Sequence, residues 1–353
     1  MTTIDDLRMP AAFKGTTFSL FKKTEVRKQL LQNMLRGKIE PACYWAAELI
    51  CAGQFLDLWE NIFHFMAKHI HLGNVKLPIY LEKRYRIFNN IVDQKLFANE
   101  IELRNKPEIR RLFAEVVCIL TVSSRKPSFE SVKIMRKEEF DMTLIGDKLK
   151  ADRADYATEL FQEKDPRELV IPINEFVYEI QVRRNMATAW YWIEWIIDFD
   201  VLCKSQKRKT RIVNRDYPVD AKYRGDLIWL IWDAIQHVQR SQFPGDSFLQ
   251  SVIQSLLYLF CCRYTSGSSK KRRYLLYMAV EVLTEPMDKS VEIITETHKP
   301  TLSNVVEQID QVVYKQIKKS EQGSGMDYLF DGLGGGDSLQ RTIQRLSMMG
   351  GGF

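Results

Sequence analysis

Three histidines, His64, His69 and His71, fall within eight residues in "HFMAKHIHLGN". Imidazoles are common zinc ligands, but two that share a metal from one helix stand three or four residues apart, and none of these pairs does. Histidines placed near a helix C-terminus by the macrodipole are the simpler expectation. The acidic residues Asp198, Asp200 and Glu60 have no second ligand set to complete a metal site and read as solvated helix surface. The chain has no Gly-rich phosphate loop ending in Lys-Ser or Lys-Thr, no nucleophile elbow and no dinucleotide fingerprint. The expectation is therefore a non-enzymatic protein with no catalytic residue, no cofactor and no metal ligand.

Two basic clusters carry the other chemistry. "KSQKRKTR" contributes Lys204, Lys207, Arg208, Lys209 and Arg211, and "SSKKRR" contributes Lys270, Lys271, Arg272 and Arg273. Such runs contact phosphate backbones through counterion release, dock on an acidic protein or membrane face, act as import signals, or stay solvated. The formal net charge of +6 on 353 residues permits nucleic-acid contact without requiring it.

The stretch "WYWIEWII", Trp190 to Ile197, holds three tryptophans and a tyrosine. A base-stacking platform interleaves exposed aromatics with cations, and this stretch has a glutamate and no Lys or Arg. At helical spacing Trp192 and Trp195 share a face, as do Trp229 and Trp232, which predicts a buried cluster across neighbouring helices.

The elements that position these groups are helices. Apolar residues recur at spacings of three and four through most of the chain, which predicts an all-α fold: a multi-helix bundle or an array of helical hairpins. The first helix runs from about Thr24 to Arg36 and stops at Gly37; the second starts behind Pro41 and stops at Gly53; the third follows at once and ends before "HLGN". Further helices are expected at Ile79 to Ile91, Pro107 to Val122, Pro172 to Arg183, Met186 to Cys203, Lys222 to Arg240, Phe248 to Arg263, Lys271 to Leu283 and Leu302 to Lys319. The segment Ser131 to Asp165 is charged and weakly periodic, and "SVEIITET" suits a short strand or an extended arm.

"ACYWAAELI" (Ala42 to Ile50) aligns with "AWYWIEWII" (Ala189 to Ile197), and "LFAEVVCILTVSSRKPSF" with "LLYLFCCRYTSGSSKKRRY", in the same order and at nearly the same separation. These matches fit a two-fold pseudo-repeat or a coincidence among apolar helices. The organisation expected is an N-terminal arm (1–23), helical unit 1 (24–150), helical unit 2 (170–285), a connecting segment with an amphipathic helix (286–320) and a tail (321–353). That tail holds nine of the 17 glycines, a flexible composition. Tyr328, Leu329, Phe330, Leu339, Ile343 and Leu346 stud it as apolar anchors suited to ordering on a partner protein, or belong to a poorly ordered terminus.

Six cysteines, five of them in apolar periodic segments, read as reduced and buried. No apolar run approaches the roughly 20 residues of a membrane span, and no secretory leader is seen, so a cytosolic or nuclear protein is expected.

The segments "KIEPACYWAAELICAGQFLDLWENIFHFMAKHIHLGN" and "WYWIEWIIDFD" resemble a family of uncharacterised proteins of nucleocytoplasmic large DNA viruses, algal-virus and mimivirus-like groups. The resemblance covers much of residues 30–285 and implies a viral protein of the particle or of the viral factory in the host cytoplasm, with the nucleus as a further location. It supplies no catalytic residues. It favours a structural or scaffolding protein, a minor capsid component whose partners are other capsid or scaffold proteins. The alternative is a nucleic-acid-binding accessory factor of viral replication or transcription.

Overall fold

The computed structural model describes residues 2–93, 100–134, 140, 145–321 and 335–348. The helices are α1 (Lys23–Leu35), α2 (Ile39–Cys51), α3 (Phe55–His64), α4 (Leu77–Asp93), α5 (Pro107–Val122), α6 (Val170–Tyr178) and α7 (Met186–Ser205). They continue with α8 (Ile228–Gln242), α9 (Ser247–Cys261), α10 (Ser268–Lys271), α11 (Arg273–Thr284), α12 (Lys299–Ile309), α13 (Lys315–Lys318) and α14 (Gly335–Met348). Among the described residues there is no sheet, so the chain is all-α as its periodicity requires. The β-branched run at 290–297 forms no strand: it bends at 293–294 and enters a short 3-10 turn, Glu296–His298.

Two of the predicted stops show why local sequence was sufficient. Gly37 and Gly53 sit just past α1 and α2 at φ of 71° and 70°. Around each, two backbone N–H groups reach back to the last helical turn: Gly37 to Met34 and Lys38 to Asn33, Gly53 to Ile50 and Gln54 to Leu49. This is the Schellman arrangement, whose left-handed residue glycine adopts without a Cβ clash.

The chain divides into two compact units: 1–66, 83–124 and 292–353 form the first, and 67–82 with 125–291 the second. This differs from the division expected from the sequence. The residues 292–318 belong to the first unit because α12 packs on α5 and buries Val305 and Ile309, while Val313, Tyr314 and Ile317 continue the stripe through a π-helical turn. The first 23 residues are not a free arm either. Ile4, Phe13, Phe18 and Phe21 are buried, and Arg104 and Arg110 donate to the carbonyls of Asp6 and Thr2.

In the first unit α2 is central, packed between α1 and α5. Trp45 and Trp59 are buried, Trp59 inside a ring cluster with Phe63, Tyr85, Phe88 and Phe113. In the second unit α7 packs on α6 and α11, and α9 on α11 and α8. Trp190, Trp192, Trp195, Trp229 and Trp232 are all 2% exposed or less, so the aromatic stretch is core. Trp190 stacks on Tyr277 at 4.8 Å and Trp195 on Phe199 at 5.0 Å. The Tyr44–Trp45 and Tyr191–Trp192 pairs meet edge-on in both units, at 87° and 77°.

All six cysteines are free and buried, and burial pushes the Cys118 and Cys261 thiols up to about 12. No described helix is long and apolar enough to cross a membrane.

Candidate functional site

The histidines do not gather around a metal, and no described group of three His, Cys, Asp or Glu side chains could hold one. His71 instead is fully buried in the second unit at φ 51°, between the carbonyl oxygen of Ala67 at 2.5 Å and the carboxylate of Glu281. Sequence spacing gave no hint of this pair, because its members lie 210 residues apart. The two ring nitrogens engage Ala67 and Glu281, which pins the 67–71 turn to α11.

The basic clusters converge. They are linked through the 221–226 turn: Arg211 of the first run reaches that turn, and Tyr264, in the loop that leads from α9 to the second run, packs on it. Its ring lies 5.5 Å from Tyr223 and 4.9 Å from Trp229, and its hydroxyl donates to Asp226 at 3.1 Å. Burial raises the Asp226 carboxyl, against the pull of Lys204 and the Tyr264 hydroxyl.

The predicted cations divide by role. Lys204 pairs with Asp200 at 2.5 Å and Arg208 with Glu168 at 2.9 Å, both on the surface. Arg211 donates to the Lys222 carbonyl at 2.8 Å and lies over Gly225, where a Cβ would sit 2.7 Å from its Nε. Lys207, Lys209, Lys270 and Lys271 are exposed and make no ion pair with a described residue. Arg272 and Arg273 are corrections to the expected contact set. Arg272 is buried and donates to the Phe260 carbonyl at 2.7 Å, satisfying an end group of α9. Arg273 donates to Glu194 at 2.9 Å, where the Tyr277 hydroxyl also donates, and so offsets a carboxylate that burial pushes upward.

Two features escaped sequence reasoning. Lys222, Arg224 and Arg263 join these groups from outside the two runs. Lys207 occupies the Schellman position after α7 at φ 57°, with its own N–H on Lys204 and that of Arg208 on Cys203. Arg263, after α9, is left-handed as well, at φ 42°. A left-handed L-residue costs roughly 1–2 kcal/mol that glycine avoids.

The expected tail anchors stand differently. Tyr328, Leu329 and Phe330 lie outside the described residues. Leu339, Ile343 and Leu346 lie on α14, which packs on α2 in the first unit; Leu346 is buried there by its own chain, and the other two are half-buried.

No protein-family model, curated protein or solved structure matches the chain. The geometry of the basic end therefore carries the functional argument.

Proposed function

We propose that the protein is a non-enzymatic binding and scaffolding component that grips the phosphate backbone of nucleic acid through the basic end of its second unit. The observation that carries this reading is the placement of Lys207 and Arg263 at left-handed helix ends of two converging basic loops. Cations at helix C-termini are favoured by the dipole, but glycine would relieve the backbone strain, so the side chains are retained at a cost in stability. Polyanion contact gives that cost a use. Exposed lysines that make no ion pair with a described residue suit phosphate contact, which needs mobile point charges and little base recognition. The buried tryptophans offer no stacking platform, so the reading is sequence-tolerant contact to a duplex or an acidic polymer.

The resemblance to large-DNA-virus proteins supports placing this component in the viral factory or particle, as a minor capsid or genome-associated protein. Quantitative mass spectrometry of purified particles tests that location. A fixed copy number relative to the major capsid protein is expected, and absence from particles defeats it.

The binding reading is tested by duplex-DNA titration from 50 to 200 mM salt. Lys207, Lys209, Lys270 and Lys271 changed together to Ala should lower the slope of log K against log salt by roughly three to four, at about 0.9 per phosphate contact. An unchanged slope refutes the site.

A further inference from the structure

The first unit holds a cavity of about 540 Å³ between α14, α13 with the turn that precedes it, and Tyr44 of α2. Gln311, Lys315 and Lys319 stand four residues apart on one helical stripe, and Thr342 and Arg345 three apart on α14, so both walls aim polar groups inward. Among the described residues no Asp or Glu lines it, and Lys315, Lys319 and Arg345 make no ion pair with a described residue. The acids nearby are engaged elsewhere: Lys318 takes Asp5 and Glu321, and Arg110 takes Asp310. Three cations thus face one space with no carboxylate among its described lining residues.

We propose that this cavity binds a small phosphorylated polyol carrying two or more phosphate groups. Two lysines supply point charges and Arg345 a planar fork, the usual pairing for phosphate oxygens. Gln311, Gln316, Ser320 and Thr342 donate to and accept from hydroxyls. The volume lies within the roughly 300–1,000 Å³ of small-ligand sites. Tyr44 is 4% exposed and edge-on to Trp45, so among the described residues no lining ring offers a face to a nucleobase, which separates this ligand from a nucleotide. The ligand would bridge α13 to α14 and hold the terminal helix on α2.

The test is isothermal titration of the full chain with inositol hexakisphosphate. A saturable one-to-one complex is expected, weakened at least tenfold in Lys315→Ala and in Lys319→Gln. It should be kept in the Lys207, Lys209, Lys270 and Lys271 to Ala variant, which separates it from the nucleic-acid site. Equal affinity in both cavity variants overturns the assignment, as does ATP binding as tightly as the polyol. Hydrogen exchange guards against variants that merely unfold: in the unaltered chain the ligand should slow exchange in α14, and no change there overturns the bridge. Recruitment to vesicles containing phosphatidylinositol bisphosphate would make the source a lipid headgroup; binding without recruitment would make it the free compound. Either supports the site.

Discussion

The two units end their helices differently. In the first, the left-handed residues after α1 and α2 are Gly37 and Gly53; in the second, the residues after the Phe65–Ile70 and Glu179–Arg183 turns, α7 and α9 are His71, Arg184, Lys207 and Arg263. Leu20 in the first unit is left-handed too, but in a loop and not at a helix end. The hydrogen-bonding motif after α1, α2 and α7 is one and the same, so the geometry did not demand the change. The first unit closes α1 and α2 at least cost, while the second accepts strain at three exposed cations and at the buried His71. That contrast distinguishes a packing body from a binding end.

The sharpest way to break the contrast is to show that the packing itself differs. Trp45→Ala in the first unit and Trp192→Ala in the second should each cost about 3–5 kcal/mol in urea unfolding, because both rings are fully buried. A neutral Trp192→Ala would return the second unit's aromatics to the list of binding surfaces.

That both tryptophans are core was legible from spacing and from the absence of interleaved cations. The glycine stops were legible as well, because a helix end is a local problem. What stayed hidden depends on distant partners. In "KKRR" nothing local tells Lys271 from Arg272; the difference is made by the α9 carbonyls and, for Arg273, by Glu194, 79 residues away. His71 needed Glu281, and α12 needed α5, to reveal their places. The strained helix ends could not be read either, since a Lys after a helix does not announce its φ.

Buried carboxylates sharpen the comparison next. Glu194 has Arg273 beside it, whereas Glu48 in the first unit is held only by hydroxyl and backbone donors, from Thr17 at 2.9 Å and Ser19 at 3.0 Å. Burial raises the Glu48 carboxyl above the ordinary glutamate range. A raised folded pKa means that the folded state binds the proton more tightly, so stability should fall as pH rises from about 4.3 through the raised value. Glu48→Gln should remove that slope. Glu194→Gln should destabilise the protein at neutral pH, because it strands the half-buried Arg273. Thermal unfolding across pH 4 to 8 reads both, and an unaltered slope in Glu48→Gln would place the titration elsewhere.

Removing α14 is a smaller perturbation. Truncation after Glu321 should cost about 2 kcal/mol, the burial of one leucine side chain, Leu346. The loss should be matched by Leu346→Ala within a few tenths of a kcal/mol if α14 is attached mainly through that residue. No loss in either would mean that the terminal helix contributes nothing to the first unit's stability.

The smallest effect is the most discriminating. Lys207→Gly keeps the Schellman bonds and removes the Cβ that the left-handed conformation penalises, so it should stabilise the protein by about 1 kcal/mol. The same change deletes one cation and should lower the salt slope of DNA binding by about one. Lys207→Ala separates the two consequences: it deletes the same charge, keeps the strained Cβ, and so should weaken binding equally without any gain in stability. Stabilisation with unchanged binding would mean that the second unit tolerates Lys207 for no binding reason, and the difference between the two units would reduce to the dipole's preference for a cation. Stabilisation together with weaker binding is what a strained contact residue requires, since only a loss of function explains why the cheaper glycine is absent.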